Sequence, residues 1–352
     1  MKKHYASIQI VRAILFLGIL AFHSGIRGAN IGWGGVEFFF VISAFWSVNS
    51  LYGKKSFDIK QKFWGRIKRL YPTYLVIVGG ATLFAFIRRI LPYDLIIHIF
   101  SGQNFLWMMT GYSSPMQPLT AHTWTLSIEV WIGALWLILL RFLNNKQFKI
   151  AMYVSLILAI FVRCFMMFKG MSEYVISLCP IAHMDAFACG SLVAISIKEN
   201  KSSLKPKRAV LIAGLVGCLG IIGTILKIAK SNHVSILQGY ELLSYSKNYL
   251  NDFLTGNIYL YLALMATAIL YLCISFENRK IVKVNWVVNM LLWIGDNSYG
   301  LYLFHWPILC ILKQLSNNAL FICLLTLICT IIVTKIFDGF YTYCRLDFRR
   351  VK

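Results

Sequence analysis

The stretch Ile8-Gln9-Ile10-Val11-Arg12-Ala13-Ile14-Leu15-Phe16-Leu17-Gly18-Ile19-Leu20-Ala21-Phe22-His23 sets the frame in which the rest of the chain is read. Its apolar run, Ile8 to Phe22, is long enough to enter a bilayer as a helix. Arg12 and His23 stand eleven residues apart, almost three full turns, so both side chains fall on one helical face. At 1.5 Å rise per residue they are about 16 Å apart along the axis. Ionisable groups in such a segment are costly and mark a functional site by default. A cation and a titratable imidazole on one stripe suit an anionic donor and proton chemistry. The opposing reading has Arg12 snorkelling to one interface and His23 marking the other.

Composition agrees with the bilayer reading. The chain has 352 residues, of which 59 % are hydrophobic and 14 % charged, and a mean hydropathy of +0.68. Soluble domains carry about 25 % charged residues. The first apolar run follows only Met1–Ser7 and has no small-residue cleavage site before Trp33, so it reads as a permanent span. Ten spans are expected, at 8–25, 35–52, 71–87, 124–140, 149–167, 184–197, 209–226, 255–275, 297–313 and 319–337, the sixth short and either tilted or partly shielded by protein.

The net charge of +22 does not call for nucleic acid, because the cations lie in short clusters between apolar runs. With the N-terminus inside, 24 Lys and Arg fall in inner segments and nine in outer ones, the nine including Arg163. That asymmetry orients both termini to the cytoplasm. The nine cysteines lie mostly in apolar segments without metal-ligand spacing and read as small buried hydrophobes. The expected fold is an all-α polytopic membrane bundle, one domain over 1–352, with no fused extracytoplasmic domain and no metal. Its longest connection, Leu91 to Thr123, is outside and rich in aromatics. That content favours an ordered lid or re-entrant segment. Trp107, Tyr112 and Trp124 either offer flat apolar faces for stacking or anchor the loop at the interface.

Four further clusters set polar groups in apolar sequence. Gly34 to Phe45 carries Glu37, a carboxylate that needs a partner, with His23 or Arg27 within reach. Phe63 to Pro72 carries Arg66, Lys68 and Arg69, a patch suited to phosphate oxygens and equally to topology alone. His122-Thr123-Trp124-Thr125-Leu126-Ser127-Ile128-Glu129 puts an imidazole and a carboxylate seven residues apart, on nearly one helical face. Asn297 to Pro307 places Ser298 and His305 on a shared face with Tyr302 nearby.

Taken in order, these stretches resemble the acyltransferase-3 family, membrane proteins that O-acylate envelope polysaccharides and related glycans. The resemblance runs from the Arg-(ten residues)-His pattern at Arg12 and His23, through Gly35–Phe45 and Arg66–Pro72, to Trp124–Glu129 and Ser298–Pro307. Two departures stand out. His183 takes the place of an Arg often found two residues before the Asp of the sixth span, here Asp185, and Asp338-Gly339-Phe340 lacks the family's closing Pro.

The resemblance implies a bacterial inner-membrane O-acyltransferase with acyl-CoA, expected as acetyl-CoA, as donor and an envelope glycan hydroxyl as acceptor. The donor's phosphates fall to Arg12, Arg66, Lys68 and Arg69. His23 acts as general base or carries the acyl group covalently, oriented by Glu129 or Glu37. His122, Trp124, Ser298, Tyr302 and His305 are expected to contact substrate. The alternative of another class is a transporter for an anionic glycan precursor. It lacks visible inverted-repeat symmetry and a phosphate loop. A scaffold role leaves Arg12, His23 and Glu129 without purpose in lipid.

Overall fold

The computed structural model describes residues 5–54, 56–199, 208–244, 252–277 and 285–350. Among them every regular element is helical, as apolar sequence requires in lipid, where each segment must satisfy its own backbone. The bundle is carried by α1 (Ala6–Ser24), α2 (Gly35–Leu51), α3 (Ile59–Ile87), α4 (Trp124–Phe142), α5 (Asn145–Phe168) and α6 (Met184–Glu199). It continues with α7 (Arg208–Ser231), α8 (Ile258–Phe276), α9 (Trp286–Asp296), α10 (Ser298–Leu312) and α11 (Ala319–Arg350).

Local chemistry sets the ends. α1 stops at Gly25, whose φ of 82° is left-handed and whose N–H closes on Ala21 and Phe22 carbonyls. Asp58 caps α3 by accepting from Lys60 N–H at 2.9 Å. Asn144 and Gln147 cap α5 reciprocally.

Among the described residues nine helices are long and apolar enough to span, matching the expected spans one to eight and ten. The expected ninth span, 297–313, is α10, an apolar helix of 15 residues that is shorter than those nine. A second short apolar helix, α9, precedes it outside any expected span. Asn297 separates them, its φ of −96° and ψ of 6° leaving the helical region and its side-chain amide donating back to the Trp293 carbonyl at 2.8 Å. Several loop cations of the charge count, Lys2, Lys3, Lys55, Lys201, Lys205, Lys207, Lys247, Arg279, Lys280, Lys283 and Lys352, lie outside the described residues.

The layering follows from burial. The segment Pro180–Glu199, which contains α6, has 78 % of its apolar window buried, against 28 % for α5, α7 and α11. The shielding expected of the sixth span therefore makes it the axis of the bundle, with those three helices outermost. α6 reaches α2 through Gly190, where a Cβ would sit 2.0 Å from the Val41 carbonyl oxygen, so only glycine permits this approach.

The connection from Leu91 to Thr123 is ordered, built from short helices at Leu95–Ile99, Gln103–Thr110 and Gln117–Thr120 and a 3-10 turn at Ala121–Thr123. Its core is polar as well as aromatic. Met116 N–H donates to Asp94 at 3.2 Å, Trp107 Nε1 to Ser114 at 2.9 Å and Tyr112 to the Ala121 carbonyl at 2.8 Å. Trp107 is fully buried and Tyr112 stacks on Tyr174 at 5.9 Å. These rings hold the loop together, and Trp107 has no face left for a sugar.

Candidate active site

Three histidines from distant parts of the chain meet at the Ser24 end of α1. The ring centroid of His305, on α10, lies 5.5 Å from that of His23 and 5.5 Å from that of His122. Trp306 closes over His23 at 4.9 Å, edge on, and Phe16 packs on His305 at 6.2 Å. His305 and His122 are buried, His23 half-buried.

Proline chemistry fixes one of these rings. Pro307 has no N–H, so the carbonyl four residues earlier, Leu303, loses its helical donor. His122 Nε2–H fills that vacancy, donating to Leu303 O at 2.9 Å. A carbonyl can only accept, so neutral His122 keeps its lone pair on Nδ1. His305 Nδ1–H likewise donates to the Tyr302 carbonyl, leaving the lone pair on Nε2. His122 Nδ1 and His305 Nε2 are both buried without a hydrogen-bond partner among the described residues. Tyr302 holds the His122 turn, donating to the His122 carbonyl at 2.9 Å and accepting from Thr125 at 3.2 Å. Gln103 and Asn104 clamp the same turn from the loop, Gln103 on the Thr123 carbonyl at 2.9 Å and Asn104 on Trp124 O at 3.1 Å and Leu178 O at 2.8 Å.

A second, cationic group forms about 16 Å down α1. Arg12 donates to Gln9 at 2.9 Å and lies within electrostatic reach of Arg69, Asp296 and Glu129. Arg66 crosses from α3 to α4 and α2, with Nη1 donating to the Glu129 carbonyl at 3.0 Å and Nη2 to Ser47 at 2.8 Å. Its Nη2 is 3.7 Å from Glu129 Oε1, which also accepts from Ser43 at 2.5 Å. Gly133 makes this crossing possible, since a Cβ there would stand 1.3 Å from Arg66 Nη1. Lys68 and Arg69 are exposed beside it. Pro72 leaves the Lys68 carbonyl without its helical donor, and Tyr341 donates to it at 3.4 Å.

The third group is a buried network across α2, α5 and α6. His183 Nε2–H donates to Ser177 O at 2.9 Å, so a single proton lies between His183 Nδ1 and Glu37 Oε1, 2.5 Å apart. Asp185 pairs with Arg163 at 2.6 Å, both side chains fully buried. Arg163 also donates to Asn257 at 3.2 Å and to the Ala182 carbonyl.

Several expectations are thereby corrected. Neither carboxylate reaches His23: Glu129 is held by Arg66 and Ser43, Glu37 by His183. His122 and Glu129 do not share a helical face, because His122 sits in the 3-10 turn that precedes α4. Arg163 is no outer loop cation but the buried partner of Asp185. The charge partner that His183 cannot give Asp185 thus comes from α5. Trp124 packs its ring against His183 at 5.6 Å and Phe40 at 6.4 Å, away from the histidine cluster. The Ser298 hydroxyl is buried without a hydrogen-bond partner among the described residues. The sequence reading missed Trp306 and Phe16; the adjacency of Trp306 to His305 and Pro307 was the available signal.

Residues 5–336 match a family model described as an acyltransferase domain. The chain belongs to the acyltransferase-3 family. It is 23 % identical over 331 residues to the peptidoglycan O-acetyltransferase OatA of Listeria monocytogenes, covering 88 % of this chain and 50 % of that protein. Against the putative peptidoglycan O-acetyltransferase YrhL of Bacillus subtilis it is 23 % identical over 373 residues, 95 % of this chain and 54 % of the relative. A putative O-acetyltransferase of Staphylococcus aureus is 35 % identical over 141 residues, 36 % of this chain and 23 % of that one. The chain thus spans about half the length of the first two. No solved structure matches. The three groups above are thus polar centres within an acyltransferase-3 bundle.

Proposed function

We propose that the chain is a multi-pass O-acetyltransferase of the bacterial inner membrane, moving an acetyl group from acetyl-CoA to a hydroxyl of a cell-envelope glycan. The observation that carries this reading is the pair of fixed, unpartnered imidazole nitrogens beside His23 at one end of α1, with guanidinium groups about 16 Å away at the other. That spacing is comparable with an extended pantetheine arm. The family supports acyl transfer, and the names of the two longest-matching relatives support acetyl and a wall glycan.

In this reading both termini are cytoplasmic, following the excess of inner-segment cations. Arg12, Arg66, Lys68 and Arg69 take the donor's phosphates, Arg through its planar fork and Lys as a point charge. Glu129 acts on Arg66, aiming it, and has no direct part at His23. Burial around His305 and His122 excludes water, which keeps the acetyl group from hydrolysis. An acceptor hydroxyl reaches the three imidazoles from the Ser24 end.

The test is purified protein in proteoliposomes with acetyl-labelled acetyl-CoA inside and envelope glycan outside. Free CoA and base-labile label in the glycan are expected. Export of glycan with no release of CoA would sink the reading in favour of a transporter, and transfer from succinyl-CoA only would overturn the donor.

A further inference from the structure

The three imidazoles are not equivalent, and their differences divide the labour of the transfer. His122 and His305 are each tied to a backbone carbonyl through one N–H and present the other nitrogen as a bare lone pair. Neither can rotate without abandoning a buried carbonyl, which costs about 1–3 kcal/mol per unsatisfied group. His23 differs on both counts. Among the described residues neither of its ring nitrogens has a hydrogen-bond partner, and its side chain is half-buried where theirs are buried. Of the three it is the one whose ring no hydrogen bond holds, only the packing of Phe22, Trp306 and His305.

His305 also occupies the middle of the group, 5.5 Å from each of the other rings. Its Nδ1 points back to its own helix at Tyr302, so Nε2, across the ring, points away from the α10 backbone. Phe16 covers one edge of the ring and Tyr302 packs at 5.3 Å. A buried base without a partner is expensive unless something donates to it during turnover.

We infer that His305 is the catalytic base of the second half of the reaction, taking the acceptor hydroxyl's proton on Nε2, while His23 carries the acetyl group. The inference rests on the acetyl-transfer reading above. In the first half, a His23 nitrogen adds to the thioester carbon and the C–S bond breaks. CoA leaves as thiolate and takes the proton from the other His23 nitrogen, giving neutral acetyl-imidazole and free thiol. In the second half, the acceptor oxygen adds to the acetyl carbon and its proton passes to His305 Nε2. The C–N bond to His23 then breaks, and His305 returns the proton to the departing His23 nitrogen. Acetyl-CoA and alcohol become ester and thiol, and both imidazoles end neutral.

The two halves are separable in one experiment on reconstituted full-length protein, using acetyl-labelled acetyl-CoA and envelope glycan. His305→Asn is the informative variant, because an Asn amide preserves the donor at the Nδ1 position and removes only the Nε2 base. It is expected to release one CoA per protein, retain acid-labile label on the protein, and lose transfer to glycan by about 10²–10⁴-fold. His23→Gln is expected to release no CoA at all. Transfer to glycan by His305→Asn within a few-fold of wild type overturns the inference, and so does loss of the CoA burst in a variant that melts like wild type. The wild-type protein gives an independent measurement should the variant misfold. Its burst without acceptor should be insensitive to D₂O and its acceptor step slowed, whereas CoA release only when acceptor is present overturns the inference. A wild-type protein that never releases CoA counts instead against the acetyl-transfer reading itself.

Discussion

Gly133→Ala tests the cationic group without touching a charge. The added Cβ would lie 1.3 Å from Arg66 Nη1 and 2.6 Å from its Cζ, while carbon contacts settle at about 3.5–4.0 Å. The guanidinium must therefore retreat by about 2 Å, beyond reach of the Glu129 carbonyl and Ser47, which it now holds at 3.0 and 2.8 Å. Hydrogen bonds to a charged group contribute about 1.5–3 kcal/mol each. With the Arg66 side chain 9 % exposed, some hydration is recovered, and a net loss of about 3 kcal/mol is expected, on the order of 100-fold in an equilibrium constant. Thermal melts in nanodiscs read this loss, and a cycle with Arg66→Ala isolates it. In the Arg66→Ala background the new methyl enters vacated space, so the double variant should melt like Arg66→Ala alone. A Gly133→Ala protein as stable as wild type, or losses that simply add, would refute the Arg66–Gly133–Glu129 arrangement.

Breaking the fully buried Arg163–Asp185 pair by Asp185→Asn or Arg163→Met should cost about 3–5 kcal/mol, read as a lowered melting temperature and poor recovery of folded protein; a near-wild-type melt contradicts the pairing. Asn104→Ala frees two buried carbonyls, Trp124 and Leu178, and should cost about 1–3 kcal/mol for each. Its signature is faster protease nicking within 91–123 together with reduced transfer, and unchanged nicking speaks against the clamp. Reporter fusions after Asn145 and Lys352 should report cytoplasm and one after Ser114 outside. An outside report at Lys352 means that the count of ten spans is wrong, at the sixth or at the short ninth, α10.

The bundle was legible because apolar runs of lipid-spanning length need no tertiary information to be seen, and eight spans plus the last fall where the hydropathy puts them. The ninth is α10, and the helix before it, α9, fell in no expected span because its 11 residues are too few to cross a bilayer. The histidines were legible singly, each as an ionisable group in apolar sequence, but their meeting was not. Sequence spacing reports which residues share a face of one helix, never which helix stands opposite. The Glu129 assignment failed for a related reason. Counting 100° per residue from His122 presumes a continuous α-helix, whereas His122 lies in a 3-10 turn with about 3.0 residues per turn. The Leu303 carbonyl vacated by Pro307 was open to prediction from the proline alone. That His122 fills it was not, because 181 residues separate the two.

The account stands most directly on His23. Membranes bearing wild-type protein or His23→Ala, matched for inserted protein, are to be given acetyl-labelled acetyl-CoA, and base-labile label in the envelope glycan is followed over time. The account predicts steady labelling by wild type and a fall of about 10²–10⁴-fold for His23→Ala at unchanged protein level. Substantial turnover by His23→Ala, or label that enters lipid acyl chains and never glycan, would contradict it.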